Sequence, residues 1–202
     1  MPRRLRQNRA MSLHSFFSRG AAVALIGFLS GCGGGGDTPS GPSGGGGNDG
    51  SCTMNEQAVP NEGWSHVTEG SAISYAHNPP ASGPHYPVWL RYEAFTGTQA
   101  RGYWVHNLEH GGVVLLYRPD APEDVRNTLL STYNSLGNDP ACGSVRALMT
   151  PDPQLPAGVN AAVVAANFTL TGSCVNPDRV RQFNVAHRGQ GPEQICAGGP
   201  RP

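Results

Sequence analysis

Apolar positions along the chain fall into short runs whose period changes from element to element. Gly112–Tyr117 (GVVLLY) is an uninterrupted apolar, β-branched run directly after a glycine pair, and predicts a strand. Pro122–Leu136 switches to helical spacing: Val125, Leu129, Tyr133 and Leu136 recur on one face. Pro122 suits the first helical position, Glu123 and Asp124 sit where the helix dipole favours negative charge, and Gly137 can close the end. Val145–Met149 and Ala161–Ala166 read as strands, the latter continuing through Phe168–Leu170. Asn176-Pro177-Asp178 opens a second helix with Val180, Phe183 and His187 on one face and Gly189 as the stop. Between Cys52 and about Arg101, proline, glycine and polar residues leave room only for short strands such as Ala72–Tyr75.

Strand, helix, strand, strand, helix predicts an α+β domain: a small mixed sheet with two helices on one face and a loop-rich N-terminal half. The first strand–helix–strand unit is expected to be a right-handed parallel crossover. Thioredoxin-like and ferredoxin-like arrangements both fit this order of elements.

The N-terminal region follows a different logic. Residues 1–20 contain five arginines and no acidic residue, and Ala21–Leu29 (AAVALIGFL) is a short apolar run. That is the pattern of a secretory signal, too short for the roughly 18–20 residues that span a bilayer. Leu29-Ser30-Gly31-Cys32 follows and resembles the bacterial lipobox, in which the cysteine is acylated and becomes the mature N-terminus. Residues 1–31 are therefore expected to be a lipoprotein signal peptide and Cys32 the lipidation site. Residues 33–51 (GGGGDTPSGPSGGGGNDGS) bury too little apolar surface to order themselves and read as a tether with a reach of roughly 25 Å. Residues 52–202 then form one globular domain. The expected location is a membrane-anchored envelope lipoprotein facing the periplasm or the cell surface.

Charge supports this division. The chain has no lysine; five of its fourteen arginines precede Cys32 and all fourteen acidic residues follow it, so the segment from Cys32 onward carries a net −5. An acidic chain without a basic patch argues against nucleic acid as a partner and leaves membrane affinity to the lipid anchor. Cys52, Cys142, Cys174 and Cys196 contain no Cys-x-x-Cys pair, and an even number in an exported chain predicts two disulfides. Three connectivities are open.

Two segments carry candidate chemistry. Asn78–Pro87 (NPPASGPHYP) holds four prolines and presents His85 from a stiff loop. Val105–Gly112 (VHNLEHGG) places His106 and His110 four residues apart. On a helix these two are neighbours, about 5–6 Å apart at Cβ, and can chelate one ion; on a strand they stand about 13 Å apart and cannot. The segment also matches the His-x-x-Glu-His pattern of the inverted zinc peptidases, where the glutamate is the general base. That enzyme class needs a long helix, whereas two glycines and a strand follow here.

His66-Val67, Tyr75, Pro79–His85, Val105–Val113 and Gly191-Pro192-Glu193 together resemble DUF3105, a bacterial family of unknown function, over residues 63–195. Where the family usually has a Gly-x-Tyr between the histidine blocks, this chain reads Arg91-Tyr92-Glu93-Ala94-Phe95. The resemblance implies a shared fold and a shared site, without an activity. His66, His85, His106 and His110 all fall on the family pattern. Clustered imidazoles with a carboxylate and no free thiol suit zinc or copper(II). On this reading His85, His106 and His110 are ligands, His66 is a fourth, and Glu109 orients an imidazole or serves as a general base on a metal-bound water. The alternatives are a non-enzymatic envelope module, in which these side chains satisfy buried backbone groups, and a metal-dependent hydrolase. The protein or envelope partner is open. His77 and His187 read as structural, Trp64, Trp89 and Trp104 as core anchors, and Ser82 lacks the base that would make it a nucleophile.

Overall fold

The computed structural model describes residues 52–201; the expected signal peptide, Cys32 and the tether lie outside the described residues. In chain order the elements are β1 (Asn55–Ala58), α1 (Arg101–Glu109), β2 (Val113–Tyr117), α2 (Glu123–Asn134), β3 (Ala147–Pro151), β4 (Ala161–Ala165), β5 (Phe168–Gly172) and α3 (Pro177–His187). The strands form one five-stranded mixed sheet in the order β1-β5-β4-β2-β3. β2 and β3, joined through α2, are parallel and adjacent; the other pairs are antiparallel. A ferredoxin-like sheet inserts a strand between the two joined by a crossover helix. Direct pairing of β2 with β3 therefore departs from the ferredoxin-like arrangement.

β2 and β4 are wholly apolar because both of their faces are buried. Val113 and Leu115 of β2, with Ala161 and Val163 of β4, face Val125 and Leu129 of α2 and Val180 and Phe183 of α3. Val114 and Leu116, with Ala162, Val164 and Leu148, face Trp104, Val105 and Leu108 of α1. Two helices thus cover one face, as the apolar spacing predicts, and the third covers the other.

Several elements differ from expectation. Ala72–Tyr75 forms no strand; it runs irregularly beside the proline-rich loop. The run expected to continue past Ala166 is a hairpin: Ala165 pairs with Phe168 across a two-residue turn, in which Asn167 adopts φ +64°. β1 has no apolar face and all four of its side chains are exposed, so nothing in its pattern marks it. It is held by pairing with β5 and by a Cys52–Cys174 disulfide at that edge. The second disulfide, Cys142–Cys196, ties the C-terminal segment to the loop before β3. Pro122 precedes α2 as its N-cap, and the helix closes at Ser135, short of Gly137. Asn176 caps α3 as expected, its side chain accepting from the amides of Asp178 and Arg179. Among the described residues no helix is long and apolar enough to cross a membrane.

Candidate metal centre

α1 is the element that decides the site. It is buried on nearly every side, from Gly102 to Glu109, so it lacks the polar stripe by which a surface helix is recognised. Its last turn presents His106 and Glu109, and His110 is its C-cap. The helical alternative for the two histidines therefore holds, and their Nε2 atoms stand 3.2 Å apart. Asn107 between them has a separate role: its Oδ1 accepts from the Leu90 amide (3.0 Å) and its Nδ2 donates to the Leu90 carbonyl (2.8 Å). Leu108 enters the core. Gly111, at φ +79°, ends the helix where a Cβ would run into the Arg146 guanidinium and the backbone of Gly189. That guanidinium, buried and paired with Asp139 at 3.2 Å, donates to the otherwise unsatisfied carbonyl of His110.

The proline-rich loop supplies the next imidazole, that of His85. Ser82 Oγ accepts from the Glu62 amide (2.8 Å) and clasps the loop. Backbone bonds from Val67 to His85 and from His85 to Ser65 draw His66 alongside. The rings then pack on one another: His66 stacks on His106 and meets His85 edge-on, each at 4.9 Å between centroids.

Glu109 Oε2 is the point of convergence. It lies 3.0 Å from His85 Nε2 and 3.7 Å from the Nε2 atoms of both His66 and His106. A tetrahedral ion with bonds of about 2.0–2.1 Å separates its ligand atoms by roughly 3.3–3.4 Å, inside that range. His85 Nδ1 lies 2.9 Å from the Gly83 carbonyl and His106 Nδ1 2.5 Å from the Tyr86 carbonyl. A carbonyl only accepts, so each Nδ1 carries the proton and each neutral ring turns its Nε2 lone pair into the cluster. Backbone contacts of this kind orient metal-bound imidazoles.

Burial sets the charge states. His85, His106 and His110 are at most 1 % exposed, and desolvation pushes all three below the usual imidazole range, His110 to about 4. Desolvation, and then the nearby Glu193, raises Glu109. Neutral imidazoles are what a metal requires. The cluster reaches solvent through His66, whose side chain is 52 % exposed, and through Glu193, exposed to the same extent.

The expected residues are thus together, with one regrouping. His66, His85, His106 and Glu109 offer ligand atoms all within 4.8 Å of one another, and Glu109 belongs to that set instead of standing behind it. His110 joins a second set with Glu109 and Glu193. Its Nε2 is 3.1 Å from Glu193 Oε2. Glu193 lies in a block that carries the family resemblance, yet nothing in its spacing points to His110, because only the folded chain brings the C-terminal segment onto α1. Gly191 explains the approach: its Cα passes so close to the carbonyls of Leu108 and Glu109 that no side chain fits. Half-buried Trp89 packs against His106 and His110 at 5.0 and 4.5 Å, while Trp104 is core. His77 pairs with Glu62 (2.8 Å), and His187 with Glu56 (2.9 Å) while it stacks on Phe168; neither belongs to the cluster.

No curated protein and no solved structure matches the chain. Residues 66–198, from the first histidine of the cluster to the end of the segment that carries Glu193, match the model of DUF3105, a protein family of unknown function, and the chain belongs to that family.

Proposed function

We propose that this protein is an envelope lipoprotein whose globular domain binds a transition-metal ion, zinc or copper(II), through His66, His85, His106 and Glu109. The observation that carries this reading is the pair of imidazoles locked by Nδ1–H bonds to backbone carbonyls, so that their lone pairs converge on one carboxylate oxygen. The donor set is imidazole and carboxylate with no thiolate, since all four cysteines of the domain are paired. The site also sits at the C-terminal end of α1, where the helix dipole favours a cation. Four protein donors, three of them buried, suit holding an ion. The disulfides fit an oxidising compartment, and the signal-like N-terminus with Cys32 supplies the route there.

The test is metal content. The full chain, purified in mild detergent, is titrated with zinc and copper by calorimetry and assayed by elemental mass spectrometry beside a His85→Ala, His106→Ala variant. Stoichiometric metal in the natural chain, lost in a variant that keeps its circular dichroism, is the expected result. A folded natural chain that takes up neither metal refutes the reading and assigns these histidines to holding the loops together. Recovery of the acylated peptide beginning at Cys32 from membranes tests the anchor; an unprocessed or unacylated N-terminus refutes it.

A further inference from the structure

We propose a second divalent transition-metal position beside the first, formed by Glu109, His110 and Glu193 and bridged to it through the Glu109 carboxylate. This rests on the metal-binding reading above.

His110 is where the inference begins. Its ring is buried as deeply as those of His85 and His106, yet neither of its nitrogens bonds to the backbone. Nδ1 has no hydrogen-bond partner, and Nε2 faces only His106 Nε2 and Glu193 Oε2. In this His110 differs from His85 and His106, whose Nδ1 atoms are held by backbone carbonyls. The His106 Nε2 it faces is a lone pair, because the Nδ1 of that ring carries the proton; in the metal-free protein His110 donates its Nε2–H toward it and Glu193, a proton that a bound ion would displace. Two carboxylates and one imidazole thus gather around one small volume, with ligand atoms of the three residues within 4.8 Å of one another. Two carboxylates this close repel one another unless a cation or a proton lies between them.

The Glu193 side chain is half-exposed, but the backbone that carries it is fixed. Its amide donates to the Glu109 carbonyl at 3.0 Å, Gly191 lies against the end of α1, and the Cys142–Cys196 disulfide fastens the segment just beyond it. A carboxylate bridge sets two ions about 3.5–4 Å apart in known two-metal sites. The first position has four protein donors. The second has three, one of them exposed, and so keeps coordination open for water or an anionic oxygen ligand.

Metal stoichiometry tests this in the full chain loaded with zinc and freed of excess. Two ions per chain are expected, falling to one in Glu193→Ala and in His110→Ala, with circular dichroism unchanged in Glu193→Ala. Loaded with copper(II), the natural chain should show a spin-coupled, attenuated resonance signal, and Glu193→Ala a full isolated one. One ion in the natural chain, whether Glu193→Ala retains it or loses it, overturns the second position and leaves metal binding standing. No ion overturns both.

Discussion

Substituting Gly191 by alanine tests how the C-terminal segment is held on the site without removing any ligand. A Cβ at this position would lie 2.5 Å from the Leu108 carbonyl oxygen and closer still to the Glu109 oxygen and the Gly111 nitrogen. All three are backbone atoms at the end of a buried helix, so none can rotate aside. The segment must retreat by roughly 1 Å to restore ordinary contact distances. That retreat breaks the 3.0 Å bond from the Glu193 amide to the Glu109 carbonyl and carries Glu193 away from His110. Overpacking costs about 1–3 kcal/mol and the lost hydrogen bond about 1 kcal/mol more, a total of about 2–4 kcal/mol. For a domain of this size the thermal midpoint should fall by roughly 5–15 °C. The assay is thermal unfolding by circular dichroism in chelator, paired with zinc stoichiometry. The variant should unfold earlier and, if the second ion is present, lose it while keeping the first. A midpoint within a degree or two of the natural chain would show that this segment does not press on α1, and the placement of Glu193 would fall with it.

Three further outcomes follow from the same geometry. Asn107→Ala strips the buried Leu90 amide of its acceptor, while the Leu90 carbonyl keeps a bond from Gly199; a loss of about 2–3 kcal/mol is expected in urea unfolding, and an unchanged midpoint refutes the clamp. The metal-free protein should lose stability as pH falls from about 6.5 to 4. Within that window the unfolded chain protonates imidazoles that the folded chain holds neutral, so stability is complete above the unfolded value and disappears toward the folded one. His110, lowered to about 4, accounts for about 3 kcal/mol, and Glu109, raised, offsets part of the total; urea midpoints flat between pH 7 and 4.5 would contradict this. Replacing Cys52 and Cys174 together by serine opens a link spanning 122 residues and should cost about 3–5 kcal/mol, with faster hydrogen exchange in β1 and β5; native-like exchange there would show that pairing alone holds β1.

The contrast between α2 and α1 shows where reading the chain succeeds. α2 and α3 lie on the surface of one sheet face, so a polar side and an apolar side are written into their spacing. α1 is enclosed by the sheet below and by loops above, and its residues answer to different neighbours: Asn107 to Leu90, Leu108 to the sheet, Glu109 to three histidines. No single period survives that mixture. β1 fails for the opposite reason, being exposed on every side chain and held by the open edge of β5 and the Cys52–Cys174 disulfide.

Residue identity and local spacing determined the alternation of strands and helices from β2 onward, the disulfide count, the candidate histidines, and the condition that His106 and His110 cluster only on a helix. Tertiary structure decided that they do, that Glu109 stands among the imidazoles, that Glu193 closes on His110, and which cysteines pair. The physical reason is one of range. Helix period, strand alternation and caps act between residues a few positions apart and leave their mark in the chain. A histidine–glutamate cluster drawn from residue 66, residue 85, the end of α1 and residue 193 exists only after two faces of a sheet have been buried and a glycine has let the last segment reach the helix.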